Sequence, residues 1–134
     1  MAVIRTDQLP VCTEQDIVIA RQTVRRLMQE LSFSLVDQTK MVTGASELAR
    51  NTVIYGGGGE LTCEILTEGI RTGLRLTFKD QGPGIPNMEM AMMDGWTSGK
   101  GLGMGLSGTK RLVNEFEIES SPGAGTRVTI TRWK

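Results

Sequence analysis

The sequence predicts an α/β protein of the two-layer α+β kind, a mixed, mostly antiparallel sheet with helices covering one face. Three observations lead there. Two long segments of helical periodicity fill the first half of the chain, between Thr13 and Tyr55. Short apolar/polar alternations joined by tight turns follow them. Between these, the repeated strand–helix–strand rhythm of a purely parallel sheet is missing. At 134 residues the chain is the size of one domain, and no linker or internal repeat divides it.

The elements follow in order. Leu9–Thr13 reads as a short strand, preceded by a possible one at Val3–Arg5. Thr13 is an N-cap with acidic Glu14 and Asp16 after it. Ile17, Ala20, Val24, Leu27, Met28 and Leu31 then recur at helical spacing. Ser32–Ser34 breaks that helix. A second spans about Leu35 to Tyr55 and is stopped by Gly56–Gly59. Leu61, Cys63 and Ile65, then Leu74, Leu76 and Phe78, alternate with polar residues as two half-buried strands joined by a turn containing Gly69 and Gly73. Met88–Asp94 reads as a short helix, then a glycine-rich loop runs to Gly105. A helix over Leu106–Glu115, a strand with Phe116 and Ile118, a turn at Pro122–Gly125 and a last strand with Val128 and Ile130 complete the chain.

Composition narrows the chemistry. Fifteen basic and fifteen acidic residues give zero formal net charge, so no global field draws the chain to nucleic acid. The chain has no histidine, which excludes Ser-His-Asp and Cys-His nucleophile pairs. Two cysteines do not make a zinc site. Cys12 and Cys63 lie in apolar, strand-like stretches and read as buried free thiols. No membrane-length apolar run and no signal-peptide core is present, and the expected location is the cytoplasm. Of 17 glycines, eight lie between Gly82 and Gly108, where the chemistry is to be sought.

Three motifs stand out. At 100° per residue, Val42, Ala45, Ala49, Thr52 and Val53 share one face of the second helix. Glu47 and Asn51 lie on the far side, one turn apart. That far side serves either solvent or a metal-phosphate, with Asn51 supplying an oxygen to Mg²⁺ and Glu47 accepting a proton. Asp80-Gln81-Gly82-Pro83-Gly84-Ile85 follows a strand directly. Asp80 there either accepts from an adenine N6 amino group or closes an Asx-type turn. Gly99-Lys100-Gly101-Leu102-Gly103-Met104-Gly105-Leu106 enters a helix and is either a phosphate-binding loop or a flexible one. It is no Walker A loop, since position 101 is Gly where Ser or Thr is needed. Nor is it a dinucleotide fingerprint, since Gly95-Trp96-Thr97-Ser98 is not a strand.

Taken in order, Glu47…Asn51, Asp80-x-Gly82-x-Gly84 and Gly101-x-Gly103-x-Gly105 resemble the asparagine and glycine boxes of the GHKL (Bergerat-fold) ATP-binding family. Pro122-Gly123-Ala124-Gly125-Thr126 resembles that family's last motif. Thr13–Val18, Val36-Asp37-Gln38, Glu47–Asn51, Asp80–Pro86 and Lys110-Arg111-Leu112 narrow the similarity to the stand-alone anti-sigma-factor type of bacterial serine/threonine protein kinase, specifically its stressosome switch-kinase branch. The similarity runs from about Thr13 to Trp133.

The resemblance implies a Mg-ATP-dependent kinase of STAS-domain stressosome proteins. Phosphorylation would release it to a downstream regulator such as a PP2C-type phosphatase, and neither nucleic acid nor membrane would be involved. By motif, Glu47 is the base and Asn51 the Mg²⁺ ligand. Asp80 receives adenine N6 of ATP or ADP, Gly82 and Gly84 let the ring approach, and Thr126 assists at the base. Gly101, Gly103 and Gly105 cradle phosphates, and Arg50 is a candidate for phosphate or partner contact. Lys100 binds phosphate or is solvated. Thr52 and Tyr55 depart from the broad pattern, which has Ala and His there. Two further readings are a non-catalytic, nucleotide-dependent anti-sigma-like binding module and a simple ATPase. Met88, Met90, Met92 and Met93 read as packing of a short helix. Trp96 reads equally as a partner contact or as folding back on the domain, Trp133 as packing, and Arg25-Arg26 as a solvated helix face.

Overall fold

The computed structural model describes residues 1–84 and 105–134. The expected helix at Met88–Asp94, together with Trp96, Lys100, Gly101 and Gly103, lies outside the described residues. The described elements run β1 (Ala2–Val11), α1 (Glu14–Glu30), α2 (Leu35–Ile54), β2 (Gly59–Glu68), β3 (Arg71–Asp80), α3 (Gly105–Arg111), β4 (Glu115–Ser120) and β5 (Thr126–Trp133). The five strands form one sheet in the order β1-β2-β3-β5-β4. Each neighbouring pair is antiparallel, so the sheet is antiparallel where a mixed one was also allowed for. Between β3 and β4 the chain must pass to the far edge of the sheet and return through β5. The segments that make this passage carry the glycine motifs.

Local chemistry sets the helices. The Thr13 hydroxyl accepts from Asp16 N at 3.1 Å, and the Asp16 carboxylate reaches back to Thr13 N at 3.1 Å and Cys12 N at 2.9 Å, a reciprocal capping box. Ser34 caps α2 by accepting from Asp37 N. One helical face from each then meets the sheet. Val11, Ala20, Val24, Leu27, Met28, Met41, Ala45, Leu48, Leu61, Leu74, Leu76 and Ile130 are all at most 1% exposed and belong to a single core. The other face of the sheet carries polar residues such as Glu64 and Arg75, paired at 2.8 Å.

Several boundaries differ from the sequence-based reading. β1 is one ten-residue strand, not a short one ending at Thr13, because it pairs along its whole length with β2. Its Pro10, which has no N–H to give, is tolerated because β1 is an edge. Gly73 belongs to β3 rather than the turn. A Cβ there would stand 2.7 Å from the Trp133 ring, so glycine lets that indole lie across the sheet. Trp133 packs as expected, with the Arg71 guanidinium 4.3 Å from its ring centroid and its Nε1 donating to Glu115. α3 ends at Arg111, not Glu115. Asn114 N donates to Thr131 O and Trp133 N to Asn114 Oδ1, which turns the chain into β4. Cys63 is buried as expected, but Cys12 is exposed, because it sits past the end of β1. Among the described residues no helix is long and apolar enough to cross a membrane.

Arg132 closes the far end of the molecule. Its guanidinium donates to Asp37 Oδ1 of α2 at 2.6 Å and to Leu112 O after α3 at 2.9 Å, joining three segments beneath limited solvent. Arg132→Met is expected to cost about 2 kcal/mol in urea unfolding, the range for a charged hydrogen bond, and Asp37→Ala a similar amount. The double variant should lose much less than the sum; full additivity would mean the pair is idle. The cysteines give a second expectation. Burial first, with the nearby Asp7 charge adding, pushes the Cys63 thiol up to about 12. The unfolded chain releases that proton nearer the ordinary thiol value of 9.0. The neutral thiol's contribution is therefore whole below pH 9 and lost as pH climbs toward 12. The stability difference between wild type and Cys63→Ala should shrink over that window. At pH 8 a thiol reagent should label Cys12 alone until the protein is unfolded; two labelled thiols in the native protein would contradict the buried placement.

A candidate nucleotide-binding site beside the second helix

A pocket opens at the ends of α2 and β3. Its walls are Leu48, Asn51, Thr52, Tyr55 and Gly56 from α2 and its end, Phe78 and Asp80 from β3, Gly84, Leu106 of α3, and Thr126 and Val128 of β5. Counted together with its open mouth it spans about 540 Å³. Leu48, Phe78, Leu106 and Val128 make it largely apolar, and Asn51, Asp80 and Thr126 are the polar groups it gathers. That mixture suits a flat heteroaromatic ring with one hydrogen-bonding edge.

Asp80 is the fixed point. Its Oδ1 accepts from Gly82 N at 2.9 Å and from Thr126 N at 3.2 Å. The first of these is the Asx-type turn that the motif allowed. The turn and a ligand role do not compete, because they use different oxygens. Among the described residues Oδ2 accepts no hydrogen bond, and Asp80 lines the pocket. Thr126 therefore acts through its backbone, while its hydroxyl is engaged with Ser120 Oγ at 2.8 Å.

The glycines around Asp80 serve the protein first. A Cβ on Gly82 would stand 2.7 Å from Gly56 Cα, so glycine there lets two backbones approach closely. Gly84 has φ +79°, and a Cβ there would meet Ser121 O at 2.1 Å. Gly84 does line the pocket, and the neighbouring Pro83 O accepts from Gly123 N at 2.7 Å. The Asp80–Gly84 segment is thus clamped between the end of α2 and the Ser121–Gly125 turn. Gly105 is the first residue of α3.

Asn51 and Glu47 separate. Asn51 lines the pocket, and its side-chain amide makes no hydrogen bond among the described residues. Glu47 is 7% exposed and lines a different groove, between α1 and α2. The helical projection placed both on the far side of α2, open to solvent or to a metal-phosphate. In the fold α1 covers part of that side, and one turn of α2 separates the two residues between neighbouring cavities. Among the described residues no group of three Cys, Asp or Glu side chains gathers to hold a metal.

Sequence reasoning missed the apolar walls. Leu48, Phe78, Leu106 and Val128 are ordinary core letters in the sequence, and only their position at the open end of the core makes them lining. Gly56 reads in the sequence as a helix stop, yet it also abuts Asp80, where a Cβ would come within 2.4 Å of the carboxylate carbon. Thr52 lines the pocket with its hydroxyl already bound to Leu48 O at 2.8 Å, so it brings no free donor.

The chain resembles known proteins in sequence and in fold. Residues 36–134 match the family described as histidine kinase-, DNA gyrase B- and HSP90-like ATPase. The chain is 44% identical over 123 residues to the serine/threonine-protein kinase RsbT of Bacillus subtilis, covering 92% of each. It is 30% identical over 125 residues to the anti-sigma F factor of Bacillus licheniformis, covering 88% of this chain and 84% of that one. In fold it is similar to the crystal structure of the RsbU and RsbW domains of a Mycobacterium tuberculosis protein, with TM-score 0.67 at 20% identity. That match covers 96% of this chain and 32% of that longer one. The chain belongs to the histidine kinase-, DNA gyrase B- and HSP90-like ATPase family, on the branch of its serine/threonine-protein kinase and anti-sigma F factor members.

Proposed function

We propose that this chain is an ATP-dependent serine/threonine protein kinase that phosphorylates STAS-domain proteins and acts as a partner switch, released by that phosphorylation to a downstream regulator such as a PP2C-type phosphatase. The observation that carries the nucleotide assignment is Asp80, in the wall of an apolar pocket: one oxygen is held by two backbone amides, and the other accepts no hydrogen bond among the described residues. In this reading Oδ2 accepts from adenine N6, Leu48, Phe78, Leu106 and Val128 enclose the ring, and Thr126 fixes the carboxylate through its N–H. The serine/threonine specificity rests on the 44% identity to a kinase of that class.

Asn51 fits a metal-phosphate in one respect, a side-chain oxygen that has no hydrogen-bond partner among the described residues and belongs to a pocket-wall residue. Mg²⁺ keeps several waters and accepts a single protein oxygen beside phosphates. When bound, it would neutralise phosphate charge. Glu47 is the proposed base. It takes the proton from the acceptor hydroxyl as that oxygen bonds to the γ-phosphorus, the bond to the bridging oxygen breaks, and ADP leaves. Lys100, Gly101, Gly103 and Gly105 are proposed to hold the phosphates. A second reading, a nucleotide-dependent binding module without transfer, is favoured by the 30% identity to an anti-sigma factor.

Two variants test the assignment. Asp80→Asn should weaken Mg-ADP binding by about 10- to 100-fold in calorimetry, the scale of one charged hydrogen bond, with the ligand-free melting temperature little changed. Unaltered affinity would remove Asp80 from the site. Glu47→Gln should keep Mg-ADP affinity within about threefold and lower phosphate transfer to a STAS-domain acceptor by about 100-fold or more. Equal transfer by wild type and Glu47→Gln would exclude Glu47 as base. ADP binding by the wild type with no transfer to any STAS-domain protein would favour the binding module.

A further inference from the structure

Two of the pocket's polar residues, Asp80 and Thr126, are tied to a side chain that does not line the pocket. That side chain is Ser120, the last residue of β4, which stands opposite Thr126 in the β4/β5 ladder. Ser120 lies outside every motif that the sequence singles out. Strand alternation sets the direction of both residues. Thr126 shares a face of β5 with Val128 and Ile130, which are buried in the core, and Ser120 shares a face of β4 with Phe116 and Ile118, which pack against it. Both side chains are therefore on the helix-covered face of the sheet. The pocket opens on that face, with Thr126 in its wall.

The Ser120 hydroxyl donates to Gly125 O at 3.1 Å and stands 2.8 Å from Thr126 Oγ1. A hydroxyl has one proton and two acceptor lone pairs, whereas a carbonyl oxygen only accepts. With its proton on Gly125 O, Ser120 is the acceptor in the second contact and the Thr126 hydroxyl is the donor. The Thr126 proton is thus turned toward Ser120. A threonine held in this way offers a ligand an acceptor and no donor.

The bond to Gly125 O has a second consequence. Gly125 C=O and Thr126 N–H belong to one planar peptide group, and that N–H donates to Asp80 Oδ1 at 3.2 Å. Ser120 therefore holds one end of the peptide whose other end holds Asp80. A donor on the carbonyl also polarises the N–H of the same peptide, because linked hydrogen bonds strengthen one another. Gly125 itself lies against β3, where a Cβ would stand 2.3 Å from Asp80 O.

We propose that Ser120 is a positioning residue for base selection. Through the Gly125–Thr126 peptide it fixes Asp80, and through the Thr126 hydroxyl it sets a second acceptor beside that carboxylate. A site with two acceptors side by side selects a base whose amino group has two protons to donate. This deepens the nucleotide assignment above and rests on it. Ser120 touches no ligand itself and acts through its two neighbours.

The test compares calorimetric Kd values of the full chain for Mg-ADP and for the Mg complex of purine riboside diphosphate, which carries hydrogen where ADP carries its amino group. The ratio of the second Kd to the first measures what the amino group contributes, and a general loosening of the pocket would leave it unchanged. In Ser120→Ala the ratio should fall by about three- to tenfold, the scale of one neutral hydrogen bond. Ser120→Cys, which keeps a side chain of similar size with a weak donor, should lower it in the same direction. Ser120→Thr keeps the hydroxyl and should stay within about twofold of wild type. Thr126→Val removes a hydroxyl and keeps the N–H, and should lower the ratio by about three- to tenfold as well. Combined with Ser120→Ala, it should lose less than the product of the single losses, because Ser120 acts partly through Thr126. A ratio equal to wild type in Ser120→Ala and Ser120→Cys, with ADP still bound, would overturn the role of Ser120 and leave the nucleotide site in place. A wild type that binds neither nucleotide would overturn the nucleotide assignment and this inference with it.

Discussion

The end of β3 meets the end of α2 at a place where no side chain fits. Gly56 and Gly82 bring two backbones together there, and Asp80 is wedged between them, its Oδ1 shared by Gly82 N and Thr126 N. The rest of the site depends on this contact. It fixes how far α2 can slide along the sheet, and so where Asn51 stands. It anchors the turn before β5, and so the placement of Thr126 and Val128. By occupying one oxygen of Asp80, it also decides which oxygen remains for a ligand. A methyl group at either glycine would push these segments apart and take the pocket's floor with them.

α2 has two different working sides because the fold covers it twice. The sheet and α3 take one side, at Met41, Ala45 and Leu48; α1 takes part of another. The strip between the two helices ends in the groove that Glu47 lines, and the strip nearest β3 ends in the nucleotide pocket. Glu47 and Asn51, one turn apart, fall on opposite sides of that division. Under the proposed roles, the base Glu47 and the metal-phosphate ligand Asn51 sit on one helix but are reached through two different cavities. Rigid placement on a buried helix suits phosphoryl transfer, where positioning and charge do most of the chemical work.

Much of the fold was legible in the sequence because its signals are local. The Thr13 capping box, the helical period of α1, the alternation in β2 and β3 and the glycine stop after α2 each depend on residues within a few positions. The sequence also placed Asp80 at a strand end and Asn51 on a helix. It misjudged the length of β1, the membership of Gly73 in β3 and the exposure of Cys12. Those depend on a partner strand, on Trp133 lying sixty residues further on, and on where the sheet ends.

Residue types and their order, then, determined the family and the groups available for chemistry: an aspartate before a glycine turn, an asparagine one turn after a glutamate, no histidine. Tertiary structure alone decided how they are shared out. Thr126 reaches Asp80 across 46 residues, and Arg132 reaches Asp37 across 95. No local pattern encodes which Asp80 oxygen is left open, that Glu47 belongs to the groove rather than the pocket, or that core residues such as Phe78 and Val128 form a binding wall. These properties arise only when segments far apart in sequence are packed together, because side-chain access is set by what covers a residue and not by the residue itself.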